Sequence, residues 1–187
     1  MARPQTTDDA ALLARLAEVF RQTGFSGASL ERLAQEAGLK KASLYHRFPG
    51  GKQQMAEQVL DASGRGFQAQ VLAPLEGPGA PRARLDAALA GLERFYAGGG
   101  RSCLLNMLAP RGLEDGPFAD RLKGALERTV GAFAALAAEA GHPPGIARRR
   151  AMRAVMMIHG SLVVSRALGS PEPFRLMLAD LPEELLR

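Results

Sequence analysis

Between Ser29 and Lys52 the chain reads SLERLAQEAGLKKASLYHRFPGGK, and this stretch restricts the possible folds more than any other. Leu30, Leu33, Ala34 and Ala37 recur at helical spacing, so one face of a first short helix is apolar. Gly38 is placed to end that helix, because glycine takes the left-handed backbone needed just past a helix C-terminus. A second amphipathic run begins at Lys41, turns Leu44 and Phe48 inward and stops at Pro49-Gly50-Gly51. Ala34, Gly38 and Leu44 have the spacing of a helix-turn-helix. The small residue lets two helix backbones approach, the glycine makes the sharp turn, and the leucine fills the angle between the helices.

The charges in this stretch are one-sided. Lys40, Lys41, Arg47 and Lys52 stand with two aromatics and no carboxylate between Lys40 and Lys52. They make up nearly the whole of the net charge of +5. A short helix with such a face suits a DNA major groove. A helical hairpin with a solvated basic face has the same pattern, and a helical adaptor that does not bind DNA could turn it towards an acidic protein. Salt-dependent binding to a duplex separates these readings.

Recognition rests on the longer run FRQTGFSGASLERLAQEAGLKKASLYHRFPGGK, which resembles the N-terminal domain of the TetR family of bacterial transcriptional repressors. The pattern is carried by Phe20, Gly24-Phe25, Gly27 to Ser29, Ala34 to Gly38, Leu44-Tyr45, Phe48 and Lys52. The resemblance implies that Lys41, Ala42 and Ser43 approach base edges, and that Tyr45 and His46 contact the DNA backbone. Lys40 adds charge beside them, Ser29 both caps its helix and can hold a phosphate, and Lys52 makes a further phosphate contact. One departure stands out. The family usually has a single residue between the Phe-Pro pair and the lysine, whereas here Gly50 and Gly51 both intervene.

Helix is favoured over the rest of the 187 residues, since β-branched residues are scarce and Ala, Leu, Arg and Glu abundant. The expected fold is all-α with roughly nine helices by apolar periodicity. Residues 1–52 form the helix-turn-helix domain, and residues 53–187 form a helical bundle for ligand binding and dimerisation. A frayed arm leads from Met1 to Gln5, and Thr6 or Thr7 caps a first helix ending at Gly24. A fourth helix runs from Gln53 to about Leu72, and PLEGPGAP (74–81) is a break. Further helices follow at residues 82–97, 103–109 and 118–140, with one opened by Arg148 and a last one from Glu172 to Leu186. By the resemblance, the last two helices pair with their copies in a homodimer.

Within the second domain, Tyr96, Leu104, Met107, Phe118, Phe133, Met156, Met157 and His159 are candidates to line a pocket. Flexible methionines and aromatics suit a small hydrophobic or aromatic effector. The segment FYAGGGRSCLLNMLA also resembles a subgroup of the family that responds to such compounds. Residues at this spacing equally make plain core. Cys103 carries a second hypothesis, a thiol-based redox signal, because a nearby arginine and a helix start both favour the thiolate; a buried inert cysteine is the alternative. Arg148, Arg149, Arg150 and Arg153 oppose the helix dipole at their position. A solvated face, salt bridges to a partner subunit and an anionic effector would each account for them.

Catalysis finds little support. His46, His142, His159 and Cys103 show no metal-ligand spacing, and no nucleophile elbow or zinc-helix motif occurs. Gly98-Gly99-Gly100-Arg101-Ser102 lacks the lysine of a phosphate loop and the third glycine of a dinucleotide loop, and reads as a turn. We therefore expect a protein without enzymatic activity, cofactor or metal. A single cysteine fits a reducing cytoplasm. No secretory signal is visible, and no stretch is expected to span a membrane.

Overall fold

The computed structural model describes residues 5–109 and 116–187, with side chains from Asp9 onwards. The described residues are helical and turn, with no strand among them. In order they form α1 (Gln5–Gly27), α2 (Leu30–Ala37), α3 (Lys41–Arg47), α4 (Gly51–Phe67), a π-helical turn (Gln68–Leu72) and α5 (Ala73–Glu76). There follow α6 (Pro81–Phe95), a 3-10 turn (Ala97–Gly99), α7 (Leu104–Leu108), α8 (Ala119–Glu139), α9 (Pro144–Leu168) and α10 (Glu172–Leu186). The expected all-α class is what is observed. The arm before Gln5 and Pro110 lie outside the described residues, and the chain is already helical at Gln5, ahead of the expected cap.

Two compact units are present. The first combines residues 1–64 with 104–119, and the second combines residues 65–103 with 120–187. The boundary expected at Lys52 lies within α4, whereas the compact units divide at Gly64 and the first takes back a later segment.

The first unit is built around α1. Leu12, Leu16, Val19 and Phe20 are buried on it, as are Leu33, Ala34 and Ala37 on α2 and Leu44 on α3. Gly24 breaks the helical path with φ 68° and ψ −179°, so the helix proper ends where the glycine was expected to end it. Helix α7 then packs on α1. The carbonyl of Met107 lies 3.0 Å from where a Cβ at Gly24 would stand, and Phe118 meets Phe25 edge-on at 5.1 Å.

In the second unit the break expected at Pro74 begins only at Gly77, because the chain stays helical through Glu76. The reason is a change of pitch. Proline has no N–H for the carbonyl of Gln70, four residues back, and its ring would crowd that carbonyl. The chain instead widens into the π turn, where the N–H of Ala73 donates to Gln68 O. Gly91 of α6 faces the same place: a Cβ there would lie 1.8 Å from the carbonyl oxygen of Gln70. Only glycine permits that approach.

Elsewhere in this unit, Phe67, Phe95, Tyr96 and Phe174 form an edge-to-face series with centroid separations of 5.3, 4.9 and 6.0 Å. Arg84 is buried, pairs with Glu139 of α8, and donates to Gly77 O at 3.1 Å, which ties down the turn after α5. The Arg148–Arg153 group also finds a partial explanation that the sequence reading did not contain. The guanidinium of Arg150 donates to the carbonyl of Glu184, and Arg153 pairs with the Glu184 carboxylate at 3.4 Å. These cations therefore sit at the C-terminal end of α10, where the helix dipole favours them. Arg148 and Arg149 are exposed.

Helix α9 is the one helix among the described residues long and apolar enough to cross a membrane by length and composition, a test that core helices also pass. Its apolar residues divide between two directions. Ala147, Ala151, Ala154, Val155, Ile158 and Leu162 are buried, while Met152, Met156, Val163, Val164 and Leu168 are exposed.

Candidate functional site

The turn between α2 and α3 follows the sequence logic closely. Ser29 caps α2, its hydroxyl accepting from the N–H of Arg32 at 3.2 Å. Gly38 adopts φ 67° and ψ 30°, and the N–H of Leu39 closes on Ala34 O at 3.0 Å. Leu44 and Phe48 are 1% and 2% exposed, so α3 is fixed by one face only. Its other residues, Lys41, Ala42, Ser43, Tyr45 and His46, are exposed, as are Lys40 before it and Ser29. Tyr45 keeps 46% of its surface open, unusual for a large ring on a seven-residue helix. The structure thus leaves each of these residues accessible.

Charge on that surface is less one-sided than the sequence suggests. Arg47 forms an ion pair with Asp9 of α1, and Lys41 lies 3.6 Å from Glu31 of α2, with both side chains exposed. An exposed pair of the second kind is weak and readily exchanged. Neither partner was legible locally, because the carboxylates come from other helices. The ammonium of Lys52 sits 4.6 Å from the centroid of the Phe25 ring, a cation–π contact that fixes its position.

The doubled glycine has a clear job. Gly51 takes φ 64° and its N–H donates to Phe48 O at 2.8 Å, while the N–H of Gly50 donates to the side chain of Gln54 at 2.8 Å. The additional residue is absorbed in a left-handed turn that opens α4, which a residue with a Cβ would adopt only under strain.

The residues proposed for an effector pocket divide between the two units. Leu104, Met107 and Phe118 belong to the first, with Leu104 and Phe118 buried. Tyr96, Cys103, Phe133, Met156, Met157 and His159 belong to the second. Of these, Tyr96, Cys103 and Phe133 are buried, Met157 and His159 are half-buried, and Met156 is 57% exposed on the outer face of α9. The Cys103 thiol is 5% exposed and accepts from the Tyr96 hydroxyl at 3.7 Å. A cleft of about 460 Å³ in the second unit is lined by none of them; it lies between the glycine turn at residues 97–100 and the α9–α10 junction. Among the described residues no group of His, Cys, Asp and Glu could hold a metal ion.

A three-helix unit with an exposed second helix of a helix-turn-helix defines a DNA-binding class of fold. Comparison with known proteins makes this specific. Residues 12–59 match the model of the bacterial regulatory proteins, tetR family. A stretch of 50 residues is 36% identical to the HTH-type transcriptional regulator LmrA of Bacillus subtilis (strain 168), spanning 27% of this chain and 27% of LmrA. The fold extends the likeness over the whole chain. A TetR transcriptional regulator from Legionella pneumophila superposes with a TM-score of 0.80 at 14% identity, covering 99% of this chain and 98% of that one. A TetR-family transcriptional regulator from Streptomyces coelicolor gives 0.80 at 22% identity over 97% and 95%. Reduced NemR of E. coli gives 0.72 at 19% identity over 96% and 97%. Residues 12–59 thus carry the sequence match to the tetR family, and the chain as a whole has the fold of solved TetR-family regulators.

Proposed function

We propose that the protein is a homodimeric transcriptional repressor that binds a near-palindromic operator in double-stranded DNA and is released by a small hydrophobic or aromatic effector. The observation that carries the DNA-binding part is the one-sided burial of α3. Leu44 is buried, and Lys41, Ala42, Ser43, Tyr45 and His46 are all presented outward. In this reading α3 lies in the major groove with Lys41, Ala42 and Ser43 at base edges. Lysine can donate to guanine O6 and N7, and the Ala42 methyl can meet a thymine methyl. Ser29, Lys40, Tyr45, His46 and Lys52 hold phosphates on either side.

Dimerisation is supported by where the exposed apolar surface lies. Met152, Met156 and Val163 fall on one stripe of α9, Val164 and Leu168 are exposed further round the same helix, and Leu176 is exposed on α10. Among the described large apolar side chains that remain open, all but Tyr45 are on these two helices. Exposed apolar surface concentrated in this way suits a protein contact, and the two-fold symmetry it would create matches two half-sites about one helical turn or more apart. Effector binding in the second domain would favour a dimer whose two α3 helices no longer match that spacing.

The test is selection of bound duplexes from fragmented genomic DNA, followed by anisotropy titration with the recovered duplex. Tyr45→Ala should abolish specific binding while melting within a few degrees of the parent. Undiminished binding by that variant would show that α3 is not the reading helix.

A further inference from the structure

The cleft beside the glycine turn has features that no role in DNA binding or dimerisation uses. We propose that it is a second ligand site, one for small amphipathic anions: a carboxylate or phosphate group attached to a compact apolar body. Two arginines, Arg166 at the end of α9 and Arg175 in the first turn of α10, are among its lining residues. Ser102 and Ser170 also line it, the Ser170 hydroxyl accepting from the Glu172 N–H at 3.2 Å, and no Asp or Glu lies among its lining residues. Leu162 and Pro171 give it apolar wall, and its volume of about 460 Å³ is in the range of sites that enclose small organic molecules. Arginine forks are suited to paired contacts with carboxylate and phosphate oxygens.

The site is built rather than incidental, and its wall is a strained one. Ala97 has φ 50°, an uncommon backbone for a residue with a side chain, and Gly98 and Gly99 continue the left-handed path at φ 63° and 94°. Such strain persists only where the surroundings enforce it, and it concentrates at ligand sites. Here the enforcement is visible. Gly99 is pressed on Phe174, where a Cβ would lie 2.7 Å from that residue's own Cβ, and Tyr96 meets Phe174 edge-on. Arg101 Nη1 donates to Phe95 O at 3.1 Å, closing the turn from the other side. Across the cleft the N–H of Phe174 donates to Ser165 Oγ at 3.2 Å, and that of Ser170 to Ser165 O at 3.0 Å. The α9–α10 junction is therefore held as firmly as the glycine turn facing it. Because the walls are pre-formed, little ordering is needed when a ligand enters.

The experiment uses the full chain in chloride at fixed ionic strength and three probes: inorganic phosphate, phenyl phosphate and benzoate. Binding is read by calorimetry and by thermal shift. We expect saturable binding of at least one probe in the millimolar range or tighter, with the phenyl-bearing anions ahead of phosphate if the apolar wall is used. Arg166→Gln with Arg175→Gln should weaken that binding about tenfold or more, since both partners of the anion are removed. Arg94→Gln, an exposed arginine on α6, should leave it unchanged. Binding that persists undiminished in the double variant, or no saturable response to any probe up to about 10 mM, overturns the proposal. A preference for phosphate over both phenyl compounds would assign the site to a free inorganic anion and overturn its amphipathic part. None of these outcomes depends on DNA binding, so the proposed repressor function stands or falls separately.

Discussion

Gly91 is the position where a single methyl group should do most damage. A Cβ built there lies 1.8 Å from the carbonyl oxygen of Gln70 and 2.7 Å from its carbon, and real Cβ atoms essentially never come within 3.0 Å. For Gly91→Ala the two backbones must therefore part by more than 1 Å, and neither can yield by rotating a side chain. Opening a packed helix contact forfeits dispersion along its length, and overpacking of this kind costs about 1–3 kcal/mol, occasionally more. Alanine returns roughly 1 kcal/mol through its better helix propensity. With the overpacking cost at the upper end of that range, about 3 kcal/mol, the net loss is about 2 kcal/mol, which for a chain of this size lowers Tm by about 4–8 °C. Gly131→Ala on α8 is the matched control. Its Cβ would meet nothing within 4 Å, so only the propensity gain remains and Tm should rise by about 2–4 °C. Both variants should be melted at one protein concentration, because dimerisation makes Tm concentration-dependent. A Gly91→Ala protein that melts at or above the parent would refute the close approach of α6 to the π turn.

Three other perturbations probe the surfaces. Asp9→Asn releases Arg47 from its ion pair, so affinity for non-specific duplex should rise several-fold and the salt slope should steepen by about 1; an unchanged slope would mean that Arg47 does not reach phosphate. Met156→Asp puts a charge into the outward stripe of α9 and should shift the protein towards monomer in light scattering, with far-UV circular dichroism preserved; a dimer of undiminished stability would place the interface elsewhere. Cys103→Ser should behave like the parent when DNA release by oxidant is measured, because the thiol is 5% exposed and bonded to Tyr96. Loss of an oxidant response present in the parent would instead favour thiol-based sensing.

The elements that sequence reasoning located best were those fixed by local chemistry. Ser29, Gly38, Leu44 and Phe48 are recognisable because capping, left-handed backbone and apolar spacing act within a few residues, and each stands in the structure as its type requires. What escaped notice depends on distant partners. Nothing near Arg47 announces Asp9, and the apolar run at Leu104–Leu108 does not say that it packs on α1. Pro74 was legible as a helix breaker, but a change of pitch five residues long can accommodate it, and the enabling residue is Gly91 on another helix. Arg150 and Arg153 raised a question of dipole sign at their own helix, and the answer lies at the end of α10. For the effector candidates, the same periodicity describes a core residue and a pocket residue. Met156 illustrates the ambiguity, since its spacing suited a pocket and its side chain points outward.

Phe25 bears differently on how variants of this protein should be interpreted. One half-buried ring meets Phe20 at 6.4 Å, Phe118 at 5.1 Å and the Lys52 ammonium at 4.6 Å. Its loss would loosen packing and unseat a cation in the same stroke. A genetic selection for regulators that no longer silence a promoter would collect Phe25 alleles alongside true contact alleles, and the phenotype alone would not sort them. Abundance in the cell would, because on the proposed reading a lesion at this ring is a folding defect and a recognition defect together, whereas one at Tyr45 is only the latter.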